Sequence, residues 1–204
     1  MKSMTTKEKI VATANELFKK NGYENTGIRD IAKACGVSVS NLQYYFPKKV
    51  LIMAEVYNLM TSEYYKKQME DMPELSTPVE KIMAVEYVFM QRALSGEGSR
   101  ESYISSMMIP EVCSVYAEKS TELFVKHNVC PEKSRFQILM ANTIMFGGLS
   151  QILQFYQQHK NQYELEELLI HPFEARLRLL GVEDCEKLLN RAHAYAKEAV
   201  KSIK

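Results

Sequence analysis

Residues that interrupt helices are scarce in this chain, with eight glycines and six prolines among 204 positions. β-Branched runs with a two-residue alternation are scarce as well, which leaves long helices as the economical reading, and the expected fold class is all-α. No internal repeat or low-complexity segment occurs. The four cysteines, Cys35, Cys113, Cys130 and Cys185, form no C-x-x-C pair, and no signal-like apolar run stands near the N-terminus. A reducing, cytoplasmic location is therefore expected. The longest apolar stretches, such as Ile82 to Met90 (IMAVEYVFM), are interrupted by charge. They fall short of the roughly 20 residues that a membrane span needs, so no membrane partner is expected.

Chemical fingerprints are missing too. The chain contains no G-x-S-x-G, phosphate-binding loop or dinucleotide motif, so neither an enzyme nor a cofactor is expected. His127 and Cys130 have a spacing that could hold half a metal site. Cys113 and the remaining histidines supply no second half, which makes a surface turn the plainer reading and no metal the expectation.

What is present is unevenly distributed. The net charge of +1 conceals a cationic first quarter: residues 1–50 hold nine Lys and Arg against four Asp and Glu, a balance of +5, while the remainder carries −4. An anionic partner such as nucleic acid or a membrane surface would be drawn to the N-terminal end. With 46% hydrophobic residues, the chain can bury one sizeable core or two modest ones.

Apolar residues at Ile10, Val11, Ala14, Leu17 and Phe18 predict a helix from Thr5 to about Asn21. A short helix over 27–34 and a third over 38–46 follow, and then a longer connecting helix over about 47–72. Pro73 and Pro78 in MPELSTP mark the clearest boundary, because proline restricts itself and the residue before it. The expected division is a cationic N-terminal domain over 1–50 and a second domain over 73–204. Within the latter, helices are expected near 78–95, 100–108, 110–128, 131–160, 163–180 and 183–203.

The stretch Gly36 to Lys49 (GVSVSNLQYYFPKK) satisfies the demands of a helix-turn-helix. Ala32 is small where two helices cross, Gly36 can take a positive φ in the turn, and Val37 and Leu42 can lock the second helix to the first. Ile28, Ile31 and Tyr45 or Phe46 complete a compact core with the first helix, and Ser38 suits the N-cap. Val39, Ser40, Asn41, Gln43 and Tyr44 are left exposed on a short polar helix that fits a major groove. There Asn and Gln can pair with adenine. Arg29, Lys48 and Lys49 would neutralise phosphates. The same aromatics and lysines could instead form a core edge and a solvated face.

Thr26 to Ile52 (TGIRDIAKACGVSVSNLQYYFPKKVLI) resembles the N-terminal domain of the TetR family of bacterial transcriptional regulators. The resemblance rests on Gly22-Tyr23, Arg29 to Ala32, Gly36 to Ser38 and Tyr45 to Lys49, and covers about residues 5–55. It implies that Arg29, Val39, Ser40, Asn41, Gln43 and Tyr44 approach bases or backbone, and that Tyr45 and Lys49 touch phosphates. Gly27 departs from the family's usual Ser or Thr and removes one expected phosphate contact. Gln43, where tyrosine is common, leaves the operator sequence open.

Arg135 to Tyr156 is apolar almost all round, which predicts burial on more than one side. Gly147 and Gly148 inside it imply close helix approach or room for a ligand. The terminal helix offers a second stripe through Leu188, Leu189, Ala192, Tyr195, Ala196, Ala199 and Ile203. The two helices from each of two chains would form a four-helix homodimer interface. The resemblance adds an inducer pocket in this domain. Met83, Glu86, Tyr87 and Met90, with Tyr103, Met107, Met108 and Phe146, could line it and accept a largely apolar small molecule, or simply pack the core. Glu86, the one charge in its run, would favour a cationic ligand if it faces a cavity. The resulting expectation is a ligand-responsive dimeric DNA-binding regulator, most economically a repressor of a palindromic operator. The alternatives are control by a protein partner and a small helical enzyme.

Overall fold

The computed structural model describes residues 4–68, 75, 77–94, 97–159 and 162–202. Among these are ten helices and no strand. The first is α1 (Thr6–Asn21), opened by a capping box in which Thr5 Oγ1 accepts from the Glu8 N–H while Glu8 accepts from the Thr5 N–H at 2.7 Å. α2 (Ile28–Cys35) ends at Gly36, which has φ +73°. The Val37 N–H reaches Ala32 O at 3.0 Å and the Gly36 N–H reaches Lys33 O at 3.2 Å, the paired bonds that close a helix through a left-handed residue. α3 (Val39–Tyr45) starts on Ser38, whose Oγ accepts from the Asn41 N–H at 3.1 Å.

Ile10, Ala14, Phe18, Ile31, Leu42 and Phe46 are buried together and hold these three helices. Phe46 takes the core position, and Tyr45 is 37% exposed. α4 (Lys49–Gln68) is shared between the two halves of the chain, packing on α1 behind and on α7 ahead. The end expected for this helix at Met72, and most of the MPELSTP boundary including Pro73, lie outside the described residues.

α5 (Pro78–Leu94) opens on a second capping box, formed by Thr77 and Glu80, and is buried at every residue from Ile82 to Met90. α6 (Glu97–Met107) begins inside SGEGS, so that segment does not separate helices along its whole length as expected. α7 (Pro110–Lys126), α8 (Arg135–Gln158), α9 (Leu165–Leu179) and α10 (Cys185–Ser202) complete the bundle. Tyr57 of α4 stacks on Tyr116 of α7 with centroids 4.4 Å apart and meets Phe89 of α5 edge-on at 5.2 Å.

Two expectations are corrected here. The terminal helix does not hold its apolar stripe in reserve: Leu189, Ala192 and Ala196 are fully buried, and α10 packs along α5 within the same chain. Ile203 lies outside the described residues. Glu80 reinforces this packing by pairing with Arg191 at 2.8 Å. In addition, α8 is long and apolar enough to cross a bilayer, which the runs considered in the sequence are not. It lies between α7 and α9 with the amide of Asn142 buried midway, as a bundle helix does.

Candidate nucleic-acid interface and effector region

The Ser38 cap and the Gly36 turn fix α3 so that Leu42 points inward and the opposite face points out. On that face Val39, Ser40, Asn41, Gln43 and Tyr44 are all exposed, Tyr44 at 82%. Tyr44 and Tyr45 meet edge-on at 5.2 Å, so one aromatic ridge closes the end of the helix. Ser38 Oγ also lies 3.0 Å from Ser40 Oγ, which leaves the amides of Asn41 and Gln43 as the larger polar groups on the face. Arg29 on α2 and Lys48 before α4 flank it and are exposed. This is a narrow polar ridge with cations at its sides, the shape and charge that a major groove accepts.

Lys49 stands apart from these. Its Nζ donates to Tyr23 O at 2.8 Å and lies 4.1 Å from the centre of the Tyr23 ring. Burial holds its pKa below the usual lysine range, partly offset by Glu24. Lys49 therefore ties the first turn of α4 to the turn before α2. Gly27 offers no side chain to cap α2, and its N–H donates instead to Asp30 Oδ2 at 2.8 Å. The preceding Thr26 is buried and donates to Gly22 O at 2.8 Å.

The residues expected to surround one central pocket are divided among several surroundings. Met83, Met107 and Phe146 are buried in the core, and Met108 is half-buried at its edge. Tyr87 and Met90 line a cleft of ≈ 220 Å³ between α5, α9 and α10. Tyr103 lines a second, of ≈ 340 Å³, where α1 and α4 meet α5, α6 and α7. Glu86 is engaged within the chain and lines neither of these two clefts. Arg176 of α9, fully buried, donates to both of its carboxylate oxygens and to Asn142 Oδ1 at 3.0 Å, while Ser120 Oγ donates to Glu86 at 2.8 Å. A carboxylate already neutralised by a guanidinium gives no preference for a cationic ligand, so that expectation is withdrawn.

Sequence reading passed over Arg176, Gln91 and His193. The first had a visible signal, since it falls on the α9 stripe of Leu165, Leu169 and Phe173. The turn at His127 to Cys130 exposes Asn128 but buries Val129 and Cys130, with Asn128 and Cys130 at positive φ. No group of three or more His, Cys, Asp or Glu suited to a metal occurs among the described residues.

An apolar face remains uncovered. Phe136 (67% exposed), Ile144 (53%), Phe155 and Met140 lie along one side of α8, and Leu179 (53%) is exposed on α9. Gly147 falls on this side, with nothing within 4 Å of where its Cβ would lie, whereas Gly148 faces Pro172 of α9 at 3.9 Å. Leu149 points the other way and is 1% exposed.

Residues 10–56, from α1 into α4, match the profile described as bacterial regulatory proteins, tetR family. The chain is 30% identical over 128 residues to the probable HTH-type transcriptional regulator YttP of Bacillus subtilis, covering 59% of this chain and 62% of that protein. It is 32% identical over 94 residues to the HTH-type transcriptional regulator QacR of Staphylococcus aureus, covering 46% and 48%. The matches thus span 62% or less of the length of these two relatives. Among solved structures, RolR in complex with resorcinol superposes with a TM-score of 0.52 at 16% identity, covering 94% of this chain and 92% of that one, a likeness of fold.

Proposed function

We propose that this chain, whose residues 10–56 match the bacterial regulatory proteins of the tetR family, is a dimeric, cytoplasmic DNA-binding regulator of that family, a repressor released from a palindromic operator by a small molecule. The observation that carries the reading is α3: capped by Ser38, anchored by Leu42, and presenting Asn41 and Gln43 outward between Arg29 and Lys48. The uncovered α8 face supports a homodimer, because exposed Phe136, Ile144 and Phe155 form an apolar patch of the kind that marks subunit contacts. Two copies joined there would set their α3 helices into successive major grooves, about 34–36 Å apart.

The clefts beside α5 support a small-molecule effector over control by a protein partner, which a sealed second half would favour. α4 touches both α1 and α7, so a ligand bound better by one arrangement of the second half would shift the position of α3. The two curated relatives are described as transcriptional regulators, in keeping with a reading as a non-catalytic protein. Selecting bound duplexes from random DNA and then screening metabolites for release tests this reading. Failure to enrich any sequence would overturn it.

A further inference from the structure

Five helices meet around the cleft of ≈ 340 Å³ that Tyr103 lines. α1 contributes Asn15, Phe18 and Lys19, and α5 contributes Phe89, Arg92 and Ala93. Residues three and four apart share one side of a helix, so Lys19 and Arg92 stand on the same faces as the rings of Phe18 and Phe89. Met53 and Val56 of α4 repeat the spacing.

The walls of this cleft are apolar, and its charge is of one sign. Phe18, Met53, Phe89 and Tyr103 are each 8% exposed or less. Ser106, also buried, donates its hydroxyl to Tyr103 O at 2.8 Å. Burial raises the pKa of the Tyr103 and Tyr116 phenols, so neither adds a negative charge. Among the described residues no Asp or Glu lines the cleft, whereas Lys19 and Arg92 both do.

The two cations differ in their setting. Lys19 Nζ lies 3.0 Å from Glu16 on the same helix, but the two side chains are 49% and 73% exposed, and such a surface pair is weak enough to give way. Arg92 is half-buried, and loss of solvent lowers its pKa. A guanidinium keeps its proton in a protein, so an anion brought beside this one compensates for the water it has lost. Its planar fork matches a carboxylate through two parallel hydrogen bonds. An apolar cavity of about 150 Å³ holds benzene, so this cleft has room for about two fused rings, and the rings around it favour an aromatic body.

We propose that this cleft binds an amphipathic aromatic monocarboxylate of about two fused rings, its body against Phe18, Phe89 and Tyr103 and its carboxylate against Arg92, with Lys19 adding to the attraction. This rests on the ligand-responsive reading above and names its ligand class. α1 packs on α2 and α4, so a molecule held between α1 and α5 bears on how α3 is carried.

Naphthoate and naphthamide have nearly the same shape, and only the first is charged. Calorimetric titration of both into the full chain tests the assignment. The wild type is expected to bind naphthoate about tenfold more tightly. In Arg92→Gln the two affinities should converge within about twofold, and in Lys19→Gln, where solvent screens the charge more, the preference should fall about twofold to threefold. Arg178→Gln, on an exposed part of α9 outside the cleft, should leave the preference unchanged. No naphthoate binding at millimolar concentration, equal affinities in the wild type, or a preference that survives Arg92→Gln would overturn the proposal. An equal loss in Arg178→Gln would overturn it too. If Arg92→Gln melts well below the wild type, the exposed Lys19 decides, and an unchanged preference in Lys19→Gln overturns the site.

These titrations use no DNA. Charge-dependent binding by a chain that selects no duplex upholds the cleft and overturns the regulatory reading. Absence of binding, while other metabolites release the selected duplex, overturns the cleft and upholds that reading.

Discussion

Arg176 reaches from α9 to the carboxylate of Glu86 on α5 with both terminal nitrogens, and the two side chains are 0% and 5% exposed. Its guanidinium lies 5.0 Å from the ring centre of Phe124 and 5.3 Å from that of Phe173. A buried ion pair is weak evidence of net stabilisation, yet breaking one leaves an uncompensated charge. Glu86→Gln is accordingly expected to lower the unfolding free energy by about 3–5 kcal/mol, whereas Glu86→Leu combined with Arg176→Met should recover most of that loss. Chemical denaturation of the three variants measures both values.

The proposed subunit contact lies on the open side of α8. Ile144→Arg is expected to yield a folded monomer in sedimentation at micromolar concentration, because the residue is 53% exposed within its own chain. Leu149→Arg should unfold the protein instead, because that side chain is 1% exposed. Gly147→Phe should behave like Ile144→Arg, since nothing within the chain occupies the space beside it.

The two lysines before and at the start of α4 are expected to separate in their effects. Lys48→Ala should weaken binding to every duplex alike and reduce the salt slope by about 1, leaving thermal stability unchanged. Lys49→Ala should lower the melting temperature as well, because it removes a charged donor from Tyr23 O, a bond of 2.8 Å. Asn41→Ala and Gln43→Ala should alter which sequences are selected.

Stability should fall on acidification through His193. Burial lowers its pKa, Lys197 lowers it further and Glu166 partly opposes them. The unfolded chain then binds a proton more readily than the folded one, so stability is complete above about pH 6.5 and declines as pH falls toward the folded value. His127 shifts in the same direction by burial, so His193→Gln should flatten part of the decline. Melting temperatures between pH 7.5 and 5 test this. An unchanged slope in His193→Gln would show that the imidazole carries none of it.

The N-terminal helices were legible because their signals are local. A capping residue, a glycine at positive φ and a three-to-four spacing of apolar residues each act within a few positions, and Ser38, Gly36 and Leu42 occupy the places their spacing implies. The second half depends on long-range choices that periodicity does not encode. The stripe on α10 could serve a partner chain or α5 equally well, and it serves α5. Likewise, Met83 and Tyr87 look alike in sequence, yet one packs in the core and the other borders a cleft. Arg176 was hidden by the assumption that charge lies outside, although its place on the apolar stripe of α9 indicated otherwise.

The stacking of Tyr57 on Tyr116 belongs to a single buried cluster that runs from Ile10 in α1 to Ala196 in α10. A core with no seam melts cooperatively, so a scanning calorimeter should record one transition in which the calorimetric and van't Hoff enthalpies agree. The proposed division between DNA-reading and ligand-reading halves is then one of task rather than of thermodynamics. Mass action follows the same rule: a molecule taken up beside α5 raises the melting point of α3 by as much as that of the helices it touches.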